Sequence, residues 1–433
     1  MTLTRHLISL IRGKPVADTD LHRATLFVLD AVANAIAGRN TEPGRKLIQW
    51  REAQGDDAGR DAFLCGGLTH ILETDDLHRA SVTHPGCVVV PAALVKAGAT
   101  SGPELLTAVL HGYEAMCRVG NAVGPTHYQV WHNTATCGPY GSAMAAAALQ
   151  KLSDEQAMHA LGNAGTQSSG VWEFLDTGAM SKHLHAGRAA ESGIVASDLA
   201  ALGFTGPPAI LEGRKGFFAA ACPDACPDAV IAEPDAPWQL AQTSIKPWPC
   251  CRHTHPVVEA ALELHGQRDG RDVESVQVDS YQAALDVCNR PAPDNEYAAK
   301  FSLQHTVAAA LMDGSIQFDS FNTASRGKHA ALRERVAINA VEPYLSAYPE
   351  KWGARVTATL SDGAMITAER RNARGDPELA LDDDQMVAKA EMLLDYANCD
   401  AAIARQVIQG VLGLADANAT ADLVDLVLAE LRK

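Results

Sequence analysis

A mainly α fold, with a large all-helical bundle domain plus a smaller α+β domain, follows from three observations. Apolar residues recur at helical spacing from residue 18 to about 265, alanine is abundant along those stretches, and after about residue 268 the pattern turns to strand-like alternation. At 433 residues the chain exceeds the size at which single hydrophobic cores stop growing, so two domains are the default expectation. The changes of texture place the helical domain at 1–267, rejoined by 400–433, and the α+β domain at 268–399.

Taken in order, Leu21 to Ala37 is apolar at helical spacing and stops at Gly38. Further helices are read over Pro103 to Val119, Ala135 to Leu152, Asp154 to Ala164, Gly187 to Ala201 and His255 to Leu264. The run Ala143-Met-Ala-Ala-Ala-Ala-Leu149 is small on nearly every face, which suits a helix packed closely on all sides. A Pro- and Asp-rich passage from Cys222 to Trp238 reads as a surface connection. Beyond it, Val273 to Tyr281 alternates as a strand does, and Arg355 to Leu360 and Ala364 to Glu369 flank Ser361-Asp-Gly363 as a hairpin. Helices over Phe301 to Met312 and Lys328 to Val336 lie between them, and Ala419 to Leu431 is helical again.

Composition narrows the function classes. Asp and Glu outnumber Lys and Arg by 52 to 36, for a net charge of -16, and a phosphate-backbone partner needs the opposite balance. The apolar run near the N-terminus is too short for a secretory core, and no apolar stretch approaches the roughly 20 residues that span a bilayer, so the expectation is a cytoplasmic protein with no nucleic-acid or membrane partner. The ten cysteines are scattered without a C-x-x-C pair, which reads as reduced thiols.

Four segments carry chemistry that a hydrophobic core does not call for. Glu73-Thr-Asp-Asp-Leu-His-Arg-Ala-Ser-Val-Thr-His-Pro-Gly86 supplies Asp75, Asp76, His78 and His84. Thr126 to Gly141 places His127 and His132 just before an Ala-rich helix whose start is marked by Thr134 and Thr136. Thr177 to Ala190 holds Lys182, His183, His185 and Arg188 ahead of another helix, and Ser244 to His255 offers Lys246, Arg252, His253 and His255 in a proline-stiffened loop. Each has a plainer explanation when taken alone: Asp75 and Asp76 as turn caps, His84 as a turn residue, the cations as partners for surplus acid groups. Four such loops, each next to a helix start, point jointly to one site.

No H-E-x-x-H, phosphate-binding glycine loop or G-x-S-x-G elbow is present, so the reading is a site with no cofactor and no metal. Cations can hold the carboxylates of a di- or tricarboxylate, and imidazoles can take a proton from carbon and give one to a leaving group. Charge built on carboxylate oxygens during that step is stabilised by Lys side chains and helix N-termini. This is lyase, decarboxylase or epimerase chemistry.

The motifs Asp75-Asp-Leu-His with Thr83-His-Pro-Gly, His132-Asn-Thr with Gly138 and Gly141, Gly178-Ala-Met-Ser-Lys-His-Leu-His with Gly187, Gly203-Phe-Thr-Gly206 with Leu211-Glu-Gly213, Lys246-Pro-Trp-Pro-Cys and Phe301-Ser-Leu-Gln resemble the MmgE/PrpD family, in order, from about residue 20 to about 315. The resemblance implies a homodimer of two-domain subunits with a metal-free active site in the cleft between the domains. It implies action on a small carboxylate, with members that dehydrate 2-methylcitrate, decarboxylate cis-aconitate or epimerise iminodisuccinate. Carried onto this sequence, it marks His84 and His132 as acid and base, Lys182 as carboxylate binder or proton donor, and Asp76 near the substrate, orienting a histidine. Asp75, His78, Thr134, His185, Lys246, Arg252 and His305 are the companion substrate-binding candidates. Glu73 and Leu77 depart from the Asp and Thr frequent in the acidic motif, an extra residue precedes His84, and Cys251 and His305 stand where the decarboxylase branch has His and Tyr. The expectation is therefore a hydro-lyase acting on a hydroxy di- or tricarboxylate, with epimerisation of a dicarboxylate as the alternative.

Overall fold

Side chains of one carbon or none let the helices of the first unit approach closely, and that closeness positions everything that follows. In the computed structural model, which describes residues 2–433, a Cβ on Gly138 would lie 2.8 Å from the Cβ of Ala189, and one on Gly141 would lie 2.8 Å from that of Met116. Helix Asn133–Leu149 is thereby pressed between helix Gly102–Ala122 and helix Ser181–Ala201. The Ala-rich run read from the sequence lies in the middle of it, buried from Ala143 to Ala147. Helices Gly86–Ala97 and Ala58–Thr69 pack against the same group. The fold is mainly α.

The chain divides into two compact units, Met1–Ile245 with Asp382–Lys433, and Lys246–Leu381. Helix Asp383–Tyr396, in a stretch assigned to the α+β domain from sequence, packs against helix Asp18–Gly38 in the first unit. The contact is anchored by Lys389, whose ammonium pairs with Asp30 and donates to the carbonyl of Thr74 at 2.6 Å. A two-residue ladder between strands β1 (Leu77–His78) and β2 (Thr243–Ser244) ties down the acidic segment in the same unit.

The second unit is built on a four-stranded sheet. Strands β3 (Val273–Ser280), β4 (Val336–Ala340), β5 (Ala354–Leu360) and β6 (Met365–Arg370) lie in the order β4-β3-β5-β6, with β3 and β4 parallel and the other pairs antiparallel. Alternate residues of β5, from Ala354 through Val356 and Ala358 to Leu360, are buried. Helix His255–Gln267, read from sequence as part of the helical domain, packs on β5 and β6 and on helix Leu303–Asp313. The hairpin forms at Ser361-Asp-Gly363, where Gly363 takes φ +81° and Asp362 accepts from the N–H of Ala364 at 3.0 Å. The helix read over 328–336 shrinks to the turn Ala330–Arg333, because Val336 to Ala340 hydrogen-bonds alongside β3 instead. No helix among the described residues is long and apolar enough to cross a membrane.

Lys389→Ala leaves the buried Asp30 carboxylate without its cation and is expected to cost about 3 kcal/mol or more in unfolding free energy. Urea denaturation measures this, and Asp30→Asn in the same chain should recover part of the loss.

Candidate active site

Three of the closely packed helices begin at one place, and the sequence puts an imidazole or an ammonium at each start. His84 and Pro85 immediately precede helix Gly86–Ala97, His132 is the N-cap of helix Asn133–Leu149, and Lys182 occupies the first turn of helix Ser181–Ala201. Lys182 lies inside that helix, not ahead of it, because the chain turns at Gly178, with φ +65°, and helix begins at Ser181. The N–H of His84 donates to Oγ1 of Thr134 at 3.1 Å, and Nδ1 of His132 lies 3.3 Å from Nδ1 of His185. These two contacts lace the three starts together. Unsatisfied N–H groups at helix starts carry partial positive charge, so the point where they meet favours an anion.

Around that point stands a group of imidazoles. Nδ1 of His70, the C-cap of helix Ala58–Thr69, lies 2.6 Å from Oδ2 of Asp75, and the same oxygen lies 3.5 Å from Nδ1 of His84. Nδ1 of His84 donates to the carbonyl of Asp76 at 2.6 Å, which turns its Nε2 the other way. The His70 ring meets His84 edge-on at 4.7 Å and lies nearly parallel to His132 at 5.8 Å. Trp172 and Phe174 close the far side of His132, with ring centroids 4.6 and 6.3 Å away.

Burial sets the protonation of this group. His132 is 1% exposed and is held well below its ordinary pKa, first by desolvation and then by the neighbouring His70, Lys182, His185 and His84. Its Nε2 is buried without a hydrogen-bond partner. Where Nδ1–H of His132 is the donor to His185, Nε2 carries a lone pair. His185 is lowered to about 4 and His183 to about 3, again chiefly by burial. Lys182 pairs with Glu73, and both side chains are buried. Glu73 adopts φ +62° and Val82 φ +49°, the left-handed region that non-glycine residues seldom occupy. For a β-branched valine this is backbone strain at the site.

Not every residue singled out from sequence faces this group. The carboxylate of Asp76 accepts the N–H of Gly86 at 3.0 Å and the hydroxyl of Tyr113 at 2.7 Å, so it caps a helix. Burial and the adjacent Asp75 push its pKa well above the usual carboxylate range. The carboxylate that touches the histidines is that of Asp75, while Asp76 orients His84 only through its main-chain oxygen. His78 bonds the hydroxyl of Ser81 at 2.8 Å and is lowered to about 3, which makes it a brace of the loop. In the second unit, Arg252 pairs with Asp376 and lies over Trp352, and His305 gives its Nε2 to the carbonyl of Ser320 at 2.7 Å. Lys246 is 1% exposed in the same unit.

His70, Trp172 and Phe174 escaped the sequence reading. His70 sits three residues before Glu73, and the density of acid and base groups would have reached it in a slightly wider window. His70, Asp75 and His84 offer three ligand atoms within 4.8 Å of one another, a borderline donor set of the type that suits a divalent ion. Nδ1 of both histidines is already engaged with oxygen at 2.6 Å, so an ion bound through those nitrogens would have to displace these bonds. On its outer side His185 lines a cavity of about 430 Å³ with Ala135, Val171, Leu184 and Arg188.

Comparison with known proteins bears on the same segments. Residues 6–229 match the MmgE/PrpD N-terminal domain and residues 248–414 the MmgE/PrpD C-terminal domain. The chain is similar to the cis-aconitate decarboxylase of Mus musculus, 26% identical over 412 residues covering 84% of this chain and 81% of the relative. It is likewise similar to the cis-aconitate decarboxylases of Homo sapiens, 25% identical over 400 residues, and Aspergillus terreus, 25% identical over 407, each alignment covering 84% of this chain and 82% of the relative.

The buried imidazoles make stability depend on pH with a definite sign. His78, His183 and His253 are lowered from 6.5 to about 3, so each is neutral when folded and takes up a proton on unfolding anywhere between those values. Their contribution is intact above pH 6.5 and declines on acidification towards pH 3, by about 1 kcal/mol per pH unit for each. Calorimetry should show the Tm falling between pH 7 and pH 4, with proton uptake on unfolding at pH 5. A Tm that holds steady across that range would contradict neutral imidazoles in the folded chain.

Proposed function

The chain belongs to the MmgE/PrpD family, and on that footing we propose that it is a cofactor-independent hydro-lyase acting on a small hydroxy di- or tricarboxylate of the citrate or 2-methylcitrate kind. The observation that carries this reading is His132. It is kept neutral by burial, with an unpartnered Nε2, where three helices begin and the Lys182 ammonium stands in the first turn of one of them. A neutral imidazole can take a proton, and the positive groups around it oppose the negative charge that this step builds on the substrate.

In the step proposed, His132 takes the proton from carbon next to a substrate carboxylate. The electron pair moves toward that carboxylate, where Lys182 and the helix starts oppose the growing charge. His84 protonates the hydroxyl on the neighbouring carbon, the C–O bond breaks, and water and an alkene leave. Asp75, 3.5 Å from Nδ1 of His84, supplies the negative charge against which that imidazole holds its proton beforehand. Elimination needs a base and an acid together, and the site offers both.

A second reading is decarboxylation, favoured by the names of the relatives. It uses the same carboxylate grip but needs only a proton donor at carbon, leaving the neutral His132 without a task. The family reading also carries a homodimer. Support comes from helix Ser181–Ala201 and the turn after it, which expose Leu184, Val195, Leu199, Leu202 and Phe204, an apolar set of the sort that marks a protein contact.

Mass spectrometry of the purified protein incubated in deuterated water with citrate, 2-methylcitrate, cis-aconitate and smaller hydroxy acids separates the outcomes. Loss of water from a hydroxy acid is expected; loss of carbon dioxide alone would install the second reading, and deuterium uptake without net change would indicate an epimerase. His132→Gln and Lys182→Ala should each lower kcat by about 10²- to 10⁴-fold. Light scattering in line with gel filtration should give twice the mass of one chain.

A further inference from the structure

His70 is completely buried, sits at the end of helix Ala58–Thr69 and belongs to none of the helix starts that carry the acid and base. It nonetheless touches the proposed acid, the proposed base and the carboxylate beside them. Nδ1 meets Asp75 at 2.6 Å, its edge meets the His84 ring, and its face lies 16° from parallel with His132. Its Nε2 is buried with no hydrogen-bond partner, a costly arrangement that native proteins rarely keep without a use. The bond to Asp75 fixes the ring through Nδ1, and Nε2 stays buried at the opposite edge.

We propose that His70 is a positioning residue of the active site: clamped by Asp75 through Nδ1, it sets the separation of His84 and His132 and the orientation each ring presents to the substrate. Asp75 is the shared element. The oxygen that fixes His70 is the one lying 3.5 Å from His84, so removing the His70 N–H takes away one of the bonds that hold Asp75 and alters how its charge sits beside Nδ1 of His84 and the Asp76 carbonyl. On the other side, loss of the ring removes the surface on which His132 rests. The charged and titratable groups acting on this arrangement are Glu73, Asp75, Lys182, His84, His132, His183 and His185. The consequence for turnover rests on the acid and base roles proposed above for His84 and His132; the structural consequence does not.

Two measurements keep these apart. In the wild type and in His70→Ala and His70→Asn, nitrogen NMR of ¹⁵N-histidine-labelled protein reports the surroundings and hydrogen bonding of the His84 and His132 ring nitrogens directly, whether or not any substrate is turned over. The expectation is shifted ring-nitrogen signals for both residues in His70→Ala, and wild-type signals in His70→Asn, whose amide can still donate to Asp75. Unchanged His84 and His132 signals in folded His70→Ala overturn the proposal. Kinetics on the substrate that the acid panel identifies should then show kcat down by about 10²-fold in His70→Ala with KM within a few-fold, a displaced pH profile, and recovery to within about 10-fold in His70→Asn. A His70→Ala enzyme with the kcat and pH profile of the wild type overturns it equally. Altered NMR signals without any turnover in the wild type would count against the lyase reading alone.

Discussion

Three helix N-termini meeting at one point is the constraint on which the rest of the first unit depends. Helix starts repel one another, since each presents the positive end of its dipole. Here they are held together by glycine and alanine contacts along helix Asn133–Leu149 and by direct bonds between the starts themselves, His84 to Thr134 and His132 to His185. What the packing enforces, the side chains compensate: Asp76 caps Gly86, and Glu73 answers Lys182. A carboxylate substrate would complete the compensation, which is why the arrangement suits one.

The same burial explains the division of labour among the histidines. Those away from Asp75, such as His78 and His305, are kept neutral by burial and brace their loops. Those grouped around Asp75 share one carboxylate among several rings. Burial, with the cationic neighbours second, leaves His132 the neutral ring with a nitrogen that has no partner. The chemistry proposed for the site arises from this burial beside cations, not from any one specially built residue.

Much of this was legible in the sequence because helix starts and unusual polar density are local signals. The four segments were visible, and three of them hold the grouped side chains. The hairpin at Ser361-Asp-Gly363 was equally plain, since its turn chemistry is contained in three residues. Pairings across long stretches of chain were not legible. Glu73 and Lys182 lie 109 residues apart, and nothing in either segment names the other. Asp76 looked like the residue for the substrate, but a tyrosine from another helix claims it. Val336 to Ala340 reads as the tail of a helix until β3 supplies a neighbour, and helix His255–Gln267 shows its allegiance to the sheet only through packing.

The acidic segment is held partly by a residue that comes very late in the chain. Thr74, next to Glu73, gives its carbonyl to Lys389, which lies beyond the whole second unit in sequence yet belongs to the first. During synthesis the first 245 residues emerge, and then the entire second unit, before this anchor exists. The loop bearing Glu73 and Asp75 therefore takes its final form only after the second unit has been made, and the nascent chain carries an incompletely braced site until then.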